Sequence, residues 1–588
     1  MKTRSWAALA LATALTFSMA AAATTASADT SAAPAPQPTK YKSKFKVLFT
    51  QQANSTKQTL TLPNLKKLKS AKYTKVKLTA KILYNKKATR TLTKTLTLKS
   101  FKKATWDLKD YGKFTVTAQF YKGKRVVTKK TFTQGSKANE YNIAALGGTL
   151  PVTMFSLSLF GADSILKNAK GERVPTVVLM KRTSQWNWKK LPTGVYSLPT
   201  LSVKDGTNPA GAEGSKFNSQ IKQLAAYVKD LVSLNKKSVV NFYVNDYFLG
   251  QIQQVIYANK IPENRYRLYV LSDGTFSYTQ FAANYDGTDP ATLQKHYAAD
   301  WASAKAYAYK NGTVKSGFSG STPRKYLWTA VDSEPNAQWW VGRKDLITSP
   351  DDGNAYGLSV QANAKVKQVA IATQLKSVQA SSSDVKKLKA LYNFGDTYFA
   401  AAEKAGKKAM LLLGTYVNLE TDFDAYAGFV KAYYGSSYLY YYKGHPKTPT
   451  ALWPEKTAQL KKLAITDVDS TVPAELILFF NPTISLSGYG SSTYAAVTDP
   501  AMAKVLFGYT KAAALAVTGS DYTIMDAFAY PIASGTPAVQ ALGTAGDLAV
   551  DFSDAVAAAK GYDVAVYTPS TNAIKYYKAS GAGYTPVG

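Results

Sequence analysis

Tyr438-Leu439-Tyr440-Tyr441-Tyr442-Lys443-Gly444-His445-Pro446 is an aromatic, strand-like run that stops abruptly on a Lys-Gly-His-Pro turn. The chain contains two histidines, His296 and His445, so one placed at a strand end is informative. In an open α/β sheet, ligands bind at the carboxyl ends of the strands. An imidazole there can carry a proton at neutral pH, and Lys443 adds positive charge suited to a phosphate. The same letters also fit a histidine packed against tyrosines and satisfied by a backbone carbonyl. The flanking sequence decides between the two.

Around this stretch the sequence alternates between strand and helix. Ala409–Leu413 reads as a strand ending in Gly414-Thr415, followed by a helix over Asp422–Tyr434. After the Lys-Gly-His-Pro turn, Lys456–Ala464 is helical and Ala474–Phe480 is strand-like. Gly488-Tyr489-Gly490-Ser491-Ser492-Thr493 sits where a helix would start and is a candidate anion-binding turn. An earlier set has the same rhythm. Tyr141–Leu146 is a buried strand, followed by Gly147-Gly148-Thr149-Leu150-Pro151 and a helix over Val152–Phe160. Within 216–234, Ile221, Leu224, Val228, Leu231 and Val232 share a helical face. Ser238–Val244 is a strand, Phe248–Asn259 a helix, and Tyr266–Leu271 a strand ending on Ser272-Asp273-Gly274-Thr275. Residues 283–380 are less regular and read as helices and loops able to line a cleft, with packing the expected job of each of Trp301, Trp328, Trp339 and Trp340. Asp384 is placed to cap a helix carrying Val385, Leu388, Leu391 and Tyr392.

Strands separated by helices of this length imply parallel, doubly wound sheets. Two in succession, 140–402 and 403–588, give the α/β GT-B architecture, two Rossmann-like domains facing a cleft. It is typical of enzymes that move a sugar from a nucleotide donor.

The amino-terminal part differs. Lys2 and Arg4 precede the apolar run Trp6–Ala23, and Ala26-Ser27-Ala28 offers a small-residue cleavage site, the pattern of a secretory signal peptide over 1–28. Residues 29–40, with Ala-Pro-Ala-Pro-Gln-Pro inside, read as an extended linker. No later run reaches membrane-spanning length. There is no cysteine, which excludes disulfides and thiolate metal sites. The expected product is secreted and associated with the cell wall or cell surface.

The formal net charge is +36, and residues 40–137 hold 27 Lys and Arg against two acids, Asp107 and Asp110. This region is written in short period-two runs: Lys44–Phe49, Thr59–Leu62, Lys75–Thr79, Thr91–Thr93, Phe114–Thr117 and Arg125–Val127. Alternation at that spacing predicts a small all-β sandwich of immunoglobulin-like type over 41–137. Its lysines fit a solvated spacer with protected edges, or a cationic module that binds an anionic cell-wall polymer. Nucleic acid is not the expected partner, because base-stacking aromatics are not interleaved with the lysines.

The order of these strand-end motifs resembles the bacterial sialyltransferases of glycosyltransferase family 80, which share a GT-B fold. The likeness spans residues 140–510. In that family a strand ends in Asp-Asp-Gly-Ser and its second aspartate is the general base. Asp273 matches it, with Ser272 in place of the first acid. The family's Lys-Gly-His-Pro matches Lys443, Gly444, His445 and Pro446 without a change, and its paired serines match Ser491 and Ser492. Glu475 stands sixteen residues before Ser491, close to the family's ribose-holding glutamate. Gly414 and Thr415 match a Gly-Thr strand end, and Gly148–Pro151 resembles the Ala-Ser-Leu-Pro that ends the first strand. Thr149 and Asn245 fall on the acceptor side. The family's acceptor-stacking tryptophan has no counterpart near Tyr416–Glu420.

The resemblance implies a metal-independent, inverting single displacement from a CMP-activated nonulosonic acid, most simply CMP-sialic acid, with no further cofactor. Asp273 would take the acceptor proton, and His445 would stabilise or protonate the departing phosphate. Each residue also has a plainer reading. Asp273-Gly274 is a common turn pair, Ser491-Ser492 a helix cap, and Glu475 an exposed charge at a strand start. CMP-sugars are made in the cytoplasm whereas the chain carries an export signal. A donor supplied from outside, a different activated sugar, or a non-catalytic glycan-binding adhesin on the same fold would each reconcile the two. A purely structural wall protein is a third class, disfavoured by the strand-end motifs.

Overall fold

The computed structural model describes residues 45–588 except 52–54, 86, 182–184, 198–209, 286–287, 316–325, 350–351, 416–418, 447–449, 451–452, 498 and 517–521. The expected signal peptide and linker, and most of the Tyr416–Glu420 segment, lie outside the described residues.

The first seven strands are β1 (Leu48–Gln51), β2 (Lys57–Thr61), β3 (Lys75–Asn85), β4 (Lys87–Thr97), β5 (Ala104–Asp107), β6 (Gly112–Lys122) and β7 (Arg125–Ser136). All pair antiparallel, in a three-stranded sheet β1-β2-β5 and a four-stranded sheet β4-β3-β6-β7. Alternate residues face inward, so Val76, Leu78, Ala80 and Ile82 of β3 and Phe114, Val116, Ala118 and Phe120 of β6 build one apolar core. The first strand begins at Leu48, four residues later than the Lys44 expected, and a short helix at Leu65–Ser70 interrupts the period-two text.

The sandwich is docked firmly on the domain after it. Tyr111 is buried in that domain's core, Tyr227 donates its hydroxyl to the Tyr111 carbonyl at 3.3 Å, and Lys113 pairs with Asp230 at 3.5 Å.

The second sheet contains β8 (Glu140–Leu146), β9 (Thr176–Met180), β10 (Val195–Ser197), β11 (Val239–Asn245), β12 (Tyr266–Leu271), β13 (Ala337–Val341) and β14 (Val366–Gln368). Its order is β10-β9-β8-β11-β12-β13-β14, parallel throughout. Val240, Phe242 and Val244 of β11 point into one core with the helix Ala210–Leu234, while Tyr243 points into the other. Burial on both faces is why these strands read as continuous apolar text.

The third sheet contains β15 (Lys408–Leu413), β16 (Tyr438–Lys443), β17 (Thr466–Val468), β18 (Ser485–Tyr489), β19 (Ala503–Phe507), β20 (Ala527–Pro531), β21 (Leu548–Phe552), β22 (Val564–Thr568), β23 (Ala573–Ser580) and β24 (Gly583–Val587). Its order is β17-β16-β15-β18-β19-β20-β21-β22-β23-β24. The first six strands are parallel and the rest extend the sheet antiparallel. In both sheets the strand that comes first in sequence lies at the point where the order reverses, the 3-2-1-4-5-6 pattern of a doubly wound sheet. Two such sheets in succession are the GT-B architecture expected from the sequence.

Two local readings are corrected. Ala474–Phe480 is a helix, not a strand, and it follows Pro473 at its cap position. A seven-residue apolar run has no period long enough to separate the two. Its Leu476 packs into the core of the second sheet's domain. The helix Ser382–Leu391 is capped by Ser381, which accepts from the Asp384 N–H at 3.3 Å, and not by Asp384. Of the four tryptophans in 283–380, Trp301, Trp328 and Trp339 pack in the core and Trp340 is half-buried.

Candidate functional site

The reversal of strand order opens a crevice at the carboxyl edge of each sheet. In the second sheet the crevice lies between β8 and β11. The chain leaves β8 through Gly147-Gly148 into a helix that starts at Thr149. Asn245, the last residue of β11, donates from Nδ2 to the Gly147 carbonyl at 2.9 Å and so fixes this turn. Thr149 is half-buried, and its hydroxyl accepts from Gln185 Nε2 at 3.2 Å.

Asp273 follows β12 on the adjoining strand end and is half-exposed. Its backbone N–H donates to Ser277 Oγ at 2.7 Å and to Asp246 Oδ2 at 3.3 Å, and Ser277 in turn donates to the same Asp246 oxygen. Its carboxylate lies against Gly148, where a methyl would collide with Oδ1. The Gly148 φ of +83° suits a residue without Cβ. Asp246 and Ser277 escaped sequence reasoning, although Asp246 follows β11 much as Asp273 follows β12.

In the third sheet, three neighbouring strand ends meet. Leu413 stands level with Lys443 on one side and Gly488 on the other, so Gly414-Thr415, Gly444-His445-Pro446 and Gly490-Ser491-Ser492 emerge side by side. Gly444 is buried, and His445 and Pro446 are half-buried at the rim. The Gly414 N–H donates to the Lys443 carbonyl at 2.9 Å. The Thr415 N–H donates to Glu420 Oε1 at 2.7 Å, and the Tyr442 hydroxyl donates to the same oxygen at 2.7 Å. Glu420 is held from below by Lys456 at 2.7 Å, both side chains being almost fully enclosed. Sequence reasoning does not find this ion pair. Its partners are 36 positions apart, with no local period to link them.

Lys443 does not project into the crevice. It is 4% exposed, and its ammonium donates to the carbonyls of Ser470 at 3.2 Å and Gly444 at 3.4 Å. Burial pulls its pKa down to about 8, opposed by the charges of Glu475, Asp469 and Asp467. Glu475 is also 4% exposed, which removes the reading of it as an exposed charge. Burial pushes its carboxyl above the usual range, opposed by a backbone N–H, by Lys443 and by Thr493. Oε1 accepts from the Thr493 hydroxyl at 3.1 Å, while Oε2 is enclosed without a hydrogen-bond partner among the described residues. The Thr493 hydroxyl accepts from Ser491 Oγ at 3.0 Å, and Ser491 Oγ accepts from the Thr493 N–H at 3.2 Å. Ser491 therefore caps a five-residue 3₁₀ turn over Ser492–Ala496, in place of the α-helix expected there.

The two crevices meet at one contact. Gly274 caps the helix Thr275–Asn284 with φ +68° and ψ −142°, and a Cβ there would lie 2.6 Å from Ser492 Cβ and 3.1 Å from its Oγ. The Asp273 turn and the Ser491-Ser492 turn thus press together, from different sheets. Among the described residues no group of three or more His, Asp or Glu is placed to hold a metal ion, and no helix is long and apolar enough to cross a membrane.

No family model and no curated protein matches the chain. Among solved structures it is similar to the α/β-galactoside α-2,3-sialyltransferase of the luminous marine bacterium Photobacterium phosphoreum. That match has 12% identity and a TM-score of 0.47, over 65% of this chain and 94% of that one. It is also similar to a sialyltransferase from Photobacterium damsela, at 14% identity and TM-score 0.43 over 69% and 82% of the two chains. A Photobacterium sp. 2,6-sialyltransferase, solved with CMP and lactose, aligns at 14% identity and TM-score 0.44 over 75% and 85%.

Proposed function

We propose that the chain is a glycosyltransferase that moves a sialic acid, or a related nonulosonic acid, from a CMP-activated donor to a glycan hydroxyl by inverting single displacement. The contact between Gly274 and Ser492 carries the reading, because it sets a carboxylate turn against a turn of hydroxyls from the facing sheet. Asp273 accepts the proton of the acceptor hydroxyl as its oxygen attacks the anomeric carbon. The bond from that carbon to the phosphate oxygen breaks, and CMP leaves with the electron pair. His445 donates a proton or a hydrogen bond to the phosphate, supported by the hydroxyls of Ser491 and Ser492. Gly414 and Thr415 line the same strand edge.

Glu475 fits the ribose: its enclosed Oε2 is an acceptor that a sugar hydroxyl would satisfy. Lys443 acts from beneath, by holding the Ser470 and Gly444 carbonyls and offsetting the Glu475 charge. Thr149 and Asn245 shape the acceptor side. This displacement requires neither a metal nor another cofactor. The order of the sandwich strands, 1-2-5 against 4-3-6-7, supports an immunoglobulin-like module in front of the transferase. Residues 1–28 support export to the cell surface.

The test is to incubate the mature protein with CMP-sialic acid and lactose and to examine products by NMR. Sialyl-lactose of inverted anomeric configuration supports the proposal. A retained configuration, or no product while lactose binds, contradicts it.

A further inference from the structure

The outer face of the four-stranded sheet is a regular lattice of hydroxyls and ammonium groups. Thr93, Thr79, Thr117 and Thr131 stand abreast across β4, β3, β6 and β7. One row along the strands lie Thr91, Lys81, Thr115 and Thr133; one row the other way lie Thr95, Lys77, Gln119 and Lys129. Strands about 4.8 Å apart and like-facing residues about 6.8 Å apart make this a regularly spaced grid. Lys77, Lys81 and Lys129 are exposed, as are the threonines of both edge strands. The Thr117 and Thr131 hydroxyls are 3.2 Å apart, so these two hold one another in place.

Protection of sheet edges does not account for this pattern. Edge strands carry lysine to discourage pairing with other chains, but β3 lies inside the sheet between β4 and β6. Lys77 and Lys81 on its outer face repel each other and guard no edge. The domain's acids are elsewhere: Asp110 is buried beside Arg90, and Asp107 is held by Thr56 and Lys109. Among the described residues no carboxylate pairs with Lys77, Lys81 or Lys129. At the Lys113–Gly135 end this face is covered by the helix Ala210–Leu234, whose Asp230 pairs with Lys113; beyond that end, a cationic face rich in small hydroxyls complements a chain of phosphates linked by short polyols. Nucleic acid fits less well. Among the described residues Tyr121 is the aromatic ring on this face, and Lys75 lies over it at 4.7 Å, so none of them offers an outward stacking platform.

We propose that the outer face of the β4-β3-β6-β7 sheet binds a phosphodiester-linked polyol polymer of the cell-wall type through Lys77, Lys81 and Lys129 and the threonine rows between them. This surface is independent of the cleft and of the transferase reading.

The experiment measures binding of the full chain to immobilised poly(glycerol phosphate). The parent is expected to bind, more weakly as salt rises. The triple variant Lys77→Glu, Lys81→Glu, Lys129→Glu is expected to lose about tenfold or more in affinity at 0.1 M salt. A second triple variant, Lys66→Glu, Lys67→Glu, Lys69→Glu, makes the same charge change on the Leu65–Ser70 helix and is expected to stay within about twofold of the parent. Melting curves verify that both variants fold, and Lys→Gln replacements substitute for any that do not. Equal loss in both triple variants would reduce the binding to net charge and overturn the surface. So would failure of the parent to bind, or displacement of the polymer by duplex DNA at comparable concentration.

Discussion

Gly274 and Ser492 lie in turns that follow strands of different sheets, yet the glycine's missing side chain is the space that Ser492 occupies. The contact fixes how far the Asp273 turn stands from the strand ends that carry His445 and Thr415. Gly274→Ala has nowhere to put its methyl, and its φ of +68° adds backbone strain of about 1–3 kcal/mol. The variant is expected to melt a few degrees lower and to lose most of its CMP release while still binding CMP. An unchanged rate would show that the contact does not set the geometry.

Glu420 and Lys456 hold the Gly414-Thr415 strand end from below. Removing one partner of an enclosed ion pair strands the other, at about 3–5 kcal/mol. Lys456→Met is therefore expected to lower stability strongly and to weaken CMP binding by loosening Glu420, which holds the Thr415 N–H. The double variant Glu420→Gln, Lys456→Met should recover much of the stability, because no charge is left buried. Urea unfolding of the three proteins reads the coupling.

Much of this arrangement is legible in the sequence. His445, Asp273 and the paired serines sit on strand ends whose letters state them plainly, because strand, turn and helix follow each other locally. The hidden part depends on partners distant in sequence. Glu475 is assigned to the nucleotide through the resemblance alone; its own letters fit a surface charge on a strand, since a short apolar run carries no period and Thr493, which bonds it, lies eighteen residues on. Lys443 reads as a phosphate ligand because its letters do not say which way it turns. Asp246 escapes notice for the same reason: its role is to hold the backbone of a residue 27 positions away.

The buried Lys443 gives a pH signature. Its folded pKa of about 8 lies below the unfolded 10.5. Between those values the unfolded chain binds more protons, so the stability of the parent rises with pH from about 8 to 10.5. The full difference corresponds to about 3 kcal/mol. Lys443→Met is expected to abolish this rise, as denaturant unfolding at pH 7.5 and 10 would measure. A variant with the same pH slope as the parent would refute the assignment.

Asp110 has the opposite position. Burial raises its carboxyl to about 7, opposed by Arg90 and the Tyr111 N–H. The folded state holds the proton more tightly than the unfolded state, so burial of the charge lowers stability progressively as pH rises from about 4 to 7. The cost is fully present above pH 7, at up to about 4 kcal/mol. Asp110→Asn keeps an acceptor for the Tyr111 N–H, which Asp110 binds at 3.0 Å, and it removes the charge. The variant is expected to melt higher than the parent at pH 8 and nearly with it at pH 4.

The central claim is that Asp273 and His445 serve one displacement reaction. The direct measurement is CMP release from CMP-sialic acid in the presence of lactose, by the parent, Asp273→Asn and His445→Ala, alongside the rise in melting temperature that CMP gives each. Release by the parent, reduced about 10²–10⁴-fold in both variants while CMP still stabilises Asp273→Asn, is the predicted result. Release that survives Asp273→Asn, or a parent that binds glycan but neither releases CMP nor is stabilised by it, would contradict the transferase and leave a glycan-binding protein in its place.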